Sequence, residues 1–60
     1  MMTEADWSHS FARELLRLGV RAEIGRLVAL GVMHHAIDRD ADPVAVARRE
    51  FIESPPHDDD

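Results

Sequence analysis

The sequence contains no cysteine, no lysine and no tyrosine, and only two phenylalanines and one tryptophan. Without cysteine there are no disulfides and no thiolate zinc sites, two staples by which very small domains offset a thin core. The absence also fits a reducing compartment. With so few aromatics the core must be mainly aliphatic. The hydroxyl residues Thr3, Ser8, Ser10 and Ser54 fall in caps, leads or ends of the expected helices. Ser8 and His9 are merely adjacent and have no orienting third group, so nothing resembles an activated nucleophile and no enzyme is expected. Gly19, Gly25 and Gly31 are six apart, in or beside helical patterns, and form no phosphate-cradling loop.

Positive charge is also scarce. The formal net charge is −5, and Asp58, Asp59 and Asp60 supply three of those charges, leaving −2 on residues 1–57. A negative chain argues against nucleic acid and anionic membrane surfaces as partners. The opening MMTEADWSHS is acidic and polar where a secretory signal is basic and then apolar. The uncharged run Leu27–Ile37 is eleven residues long, whereas a bilayer span takes about 20. A soluble, cytoplasmic chain is expected.

Sixty residues allow one domain. A chain of that length buries roughly 60% of its unfolded surface and usually needs a metal, a disulfide or a partner chain. Self-association is the remedy that this composition leaves open.

The stretch Val20–Ile37, VRAEIGRLVALGVMHHAI, dominates the pattern. Wound at about 100° per residue, Val20, Ile24, Leu27 and Gly31 share one face, with His34 at its edge. Ala22, Gly25, Ala29 and Ala36 share the opposite face, and Leu30 and Ile37 lie between. A helix that is apolar most of the way round must be covered most of the way round. One copy of the chain is expected to cover two of its faces and a second copy the rest.

Before this stretch, Trp7, Phe11, Leu15 and Leu18 form one apolar stripe, predicting a first helix from a Thr3 cap, with Ser8 or Ser10 as the alternative cap, to about Leu18. Gly19 is its expected left-handed terminator. The short connection predicts a helical hairpin. Gly31 is read as a close-packing position within one continuous central helix, since no turn-forming residue accompanies it. Asp42 followed by Pro43 is a strong helix start. It predicts a third helix from Pro43 to about Glu53, with Val44, Ala47 and Phe51 inward and Ile52 at the edge. Ser54-Pro55-Pro56 stops it. The domain therefore spans 1–54, and 55–60 is expected to be a disordered acidic tail.

Three constellations have bland explanations. Asp38, Asp40 and Asp42 have calcium-loop spacing, but Pro43 replaces the required glycine and Arg49 the bidentate glutamate. His34 and His35 point about 100° apart; His34 with Asp38, joined by His9 or a symmetry mate, is a possible metal edge short of a full ligand set. Leu18-Gly19-Val20 resembles the turn of a helix-turn-helix unit. There the apolar residue six places after the glycine is replaced by Gly25, and no basic face follows.

The expected fold is all-α: a helical hairpin plus a short third helix, assembling as a homodimeric bundle. The expected interface joins the small residues Ala22, Gly25, Ala29 and Ala36, with Val32 filling the heptad-like seam, to Leu27, Val28, Leu30, Met33 and Ile37. The expected role is a small accessory, adaptor or regulatory module that binds itself and another protein and needs no cofactor. A DNA-binding regulator and a metal- or cofactor-binding bundle are the alternatives.

Overall fold

In the computed structural model, which describes residues 2–53, the chain forms three helices: α1 (Glu4–Arg17), α2 (Ile24–Asp38) and α3 (Pro43–Glu53). Among the described residues there is no strand. The expected tail, 55–60, and the side chain of Ile52 lie outside the described residues.

Local chemistry sets the ends of α1. The Thr3 hydroxyl accepts a hydrogen bond from the Asp6 N–H at 3.1 Å, and Glu4 and Asp6 stand in the first turn, where the helix dipole favours carboxylates. At the other end Val20 N–H donates to Leu15 O and Gly19 N–H to Leu16 O, both at 3.0 Å, while Gly19 takes φ +105°. This is a Schellman closure, with glycine at the one position whose backbone disfavours a side chain. Because the Val20 N–H is committed to α1, the chain leaves extended. It starts its next helix only at Ile24, with Glu23 as a cap that makes no side-chain bond. The central helix is thus shorter than the apolar pattern suggested, and Ala22 lies in the connection. α3 starts at the expected signal: Asp42 Oδ1 accepts from the Val44 N–H at 3.3 Å, and Pro43 is the first helical residue.

The innermost element is α1, not α2. It supplies Trp7, Phe11, Ala12 and Leu15 to a core completed by Leu27 from α2 and by Val46 and Ala47 from α3. α1 packs against both other helices, and α2 contributes only Leu27 and Gly31 to the fully buried set. α3 is rotated slightly from expectation. Val46 is buried beside Ala47, while Val44 and Phe51 are half-buried.

Two polar groups follow α1 inward. Ser8 is buried with its hydroxyl donating to the Glu4 carbonyl at 2.6 Å, so a small polar residue is satisfied within its own helix. Glu14 is buried too, its carboxylate accepting from Arg17 Nε and Nη2 (2.9 and 2.7 Å) and from Arg48 Nε (3.0 Å), which ties α1 to α3. Arg17 is one helical turn from Glu14 in the sequence, whereas Arg48 reaches it only through the tertiary fold.

Hydrogen bonds from Arg17 and then Arg48 hold the Glu14 carboxyl down from 4.5 to about 2. Depression in the folded state means that the charged group stabilises the fold fully above about pH 5, and that this contribution is lost as pH falls toward 2. Glu14→Gln is therefore expected to lower Tm at pH 7 and to flatten the Tm–pH profile between pH 5 and 2. Parallel profiles for the two proteins would show that the two arginines do not hold Glu14.

Candidate functional site

α2 is apolar on two sides, and only one of them meets α1. The inward side carries Leu27 and Gly31, with Val28, His34, His35 and Asp38 half-buried around them. Gly31 is the point of closest approach. A Cβ built there would lie 2.9 Å from both Cα and Cβ of Ser8 and 3.0 Å from its carbonyl oxygen. That contact, small residue against small residue, fixes which side of α2 turns inward.

The outward side carries Leu30, Val32, Met33 and Ile37, which are 38, 37, 66 and 80% exposed. Gly25, Ala29 and Ala36 lie exposed among them, and Arg26 is the one exposed charge between Ile24 and Ile37. Of the residues expected at an interface, Gly25, Ala29, Leu30, Val32, Met33, Ala36 and Ile37 thus share this outer surface. The others lie elsewhere. Leu27 belongs to the core, Val28 packs partly against it, and Ala22 precedes the helix. Ile24 lies on the side of Leu27 and Gly31, as the pattern grouped it, yet is exposed. The late start of α2 makes Ile24 its first residue, and half of its side chain stays in solvent. A shallow apolar cleft lined by Leu15, Val20, Leu27, Leu30, Glu50 and Phe51 borders the face at Leu30.

His34 and His35 pack against the aromatic side chains of α1. His34 tilts against Phe11 with ring centroids 5.1 Å apart, and its Nε2 lies 3.7 Å from Glu50 Oε1. His35 meets Trp7 edge-on at 5.5 Å. Nδ1 of His9 lies 2.8 Å from its own helix's Ala5 carbonyl, and Asp38 pairs with Arg49 at 3.3 Å. The residues of the possible metal edge are therefore divided among separate contacts. Among the described residues no group of three or more histidine, aspartate and glutamate side chains converges as a ligand set. Of the three calcium-loop aspartates, Asp42 caps α3 and Asp38 holds Arg49. Among the described residues no helix is long and apolar enough to cross a membrane.

The outer side of α2 is one helix face, apolar over about four turns and rimmed by a single arginine. No protein-family model matches the chain, and no curated protein or solved structure shows significant similarity to it.

Proposed function

We propose that this chain is a small protein–protein interaction module that acts as a homo-oligomer, with the outer side of α2 as its docking face. The observation that carries the reading is the exposure of four large apolar side chains, Leu30, Val32, Met33 and Ile37, on the outer side of a helix with no exposed charge but Arg26. Exposed leucines and isoleucines scattered singly need no explanation, but a contiguous face does. A second copy is the occupant that an apolar face with a single charge suits, and the accessory or regulatory role follows if the dimer then presents its remaining surface to another protein.

The test is light scattering at micromolar concentration. The unmodified chain is expected to give at least twice its 6.8 kDa mass. Met33→Glu with Ile37→Glu should return it to one chain mass with helical content retained, because neither side chain belongs to the core and a desolvated carboxylate in an apolar contact is strongly unfavourable. A sharp thermal transition at one chain mass in the unmodified protein would end this reading.

A further inference from the structure

We propose that each copy seats its Ile37 in the other copy's apolar cleft beside Leu30, where α1, α2 and α3 meet. The inference rests on the self-association proposed above and adds the contact that makes it specific. The cleft has a volume of about 150 Å³, and its lining is apolar except for Glu50, which lies 3.7 Å from His34 Nε2 of its own chain. An apolar space of about that size holds one benzene-sized group, the bulk of a single aliphatic side chain. Ile37 is the most exposed of the large apolar side chains, at 80%. It stands two helical turns beyond Leu30, about 10 Å along the axis, so it does not fill the cleft of its own chain.

That separation sets the direction of pairing. In a parallel two-fold pair each residue faces its own counterpart, and both Ile37 side chains stop about 10 Å short of a cleft. An antiparallel pair with its axis beside Met33 brings Ile37 of each copy to Leu30 of the other, so both clefts fill at once. Met33, 66% exposed, then meets its own counterpart at the axis. Leu30, Met33 and Ile37 lie within about 60° of one another around the helix, and Arg26 falls inside the same arc. The operation that seats Ile37 therefore carries Arg26 to the partner's α2–α3 turn, beside Asp40. Both residues are exposed, and neither forms an ion pair among the described residues. Opposite charges thus meet at each end of the contact, whereas a parallel pair sets the two Arg26 side chains together.

Isotope-filtered NOE spectra of an equimolar mixture of labelled and unlabelled chain read the contact directly. Cross-peaks are expected between the Ile37 methyl groups of one copy and Val20, Leu30 and Phe51 of the other. Ile37→Ala should weaken dimerisation at least about tenfold, as loss of a seated anchor does, with helical content retained because Ile37 lies outside the core. Val32→Ala, at the opposite edge of the outer side, should leave the dissociation constant within about twofold. A dimer whose intermolecular cross-peaks arise from Ala29 and Val32 instead of the cleft overturns the seating while leaving self-association standing. An Ile37→Ala dimer as tight as the unmodified one does the same. A monomeric mass for the unmodified chain removes both.

Discussion

Gly31→Ala is expected to destabilise the folded chain, whereas Gly25→Ala is expected to leave it as stable or more so. Both glycines sit in α2, and in an isolated helix alanine is better than glycine by about 1 kcal/mol. Propensity therefore favours both changes. Contact separates them. At Gly31 the new methyl group would lie 2.9 Å from Ser8 Cα, which is backbone and cannot rotate away, and 2.9 Å from Ser8 Cβ. Relief requires α1 and α2 to move apart at the point where they cross, which loosens Leu27 against the α1 core as well. Overpacking of this kind costs about 1–3 kcal/mol and outweighs the propensity gain. At Gly25 nothing lies within 4 Å, so only the propensity term acts within one copy. Thermal unfolding of the two variants should shift Tm in opposite directions or leave Gly25→Ala unmoved, with about 4–8 °C for each kcal/mol in a domain this small. Equal upward shifts would mean that α1 and α2 do not meet at Ser8 and Gly31. A Ser8→Gly change made on top of Gly31→Ala should recover part of the loss, since it removes the Cβ half of the clash.

This contact also shows what the sequence could and could not disclose. Helix ends were legible because each depends on a residue type with one physical use: Thr3 as an acceptor, Gly19 at positive φ, Asp42 with Pro43 at a start. The inward side of α1 was legible from Trp7, Phe11 and Leu15, whose spacing has a definite phase. α2 has no such phase. Its residues are apolar nearly all round, so periodicity could say that it needs two covered faces but not which of them α1 takes. The choice falls to Gly31, whose missing side chain matters only once Ser8 lies opposite. The same indeterminacy put Leu27 among the expected interface residues. Glu14 was opaque for another reason: its second cation, Arg48, is 34 residues away, and no local spacing joins them. The outer face of α2 is what remains when the phase is known, and for that reason it could be read from the sequence only as a set of candidates.

The larger loss is expected at Trp7. Trp7→Ala should abolish the cooperative unfolding transition at 25 °C, and Trp7→Phe should leave a folded chain of lowered Tm. Trp7 is 1% exposed and binds three elements at once. Its ring stacks on Phe11 within α1 at 5.8 Å, receives His35 of α2 edge-on, and donates its Nε1–H to the Ala41 carbonyl at 2.9 Å in the connection to α3. Truncating a buried tryptophan costs about 3–5 kcal/mol through lost transfer energy and the cavity left behind. A sixty-residue domain has roughly 3–9 kcal/mol in all, so most or all of its stability is removed. Phenylalanine keeps most of the apolar contact and deletes the donor. The Ala41 carbonyl lies in an exposed residue and can turn to water, which places the cost of losing that bond near 1 kcal/mol, at the low end for a broken hydrogen bond. The difference between the two variants therefore separates core packing from the tether to the α2–α3 connection. Helical content followed by circular dichroism against urea reads both, since either change removes the chain's one tryptophan fluorophore. If Trp7→Ala kept a sigmoidal transition within a few degrees of the unmodified chain, α1 would not be the helix on which the other two are assembled. If instead Trp7→Phe were as damaging as Trp7→Ala, the indole N–H bond to Ala41, rather than the stacked ring, would be what holds α3 in place.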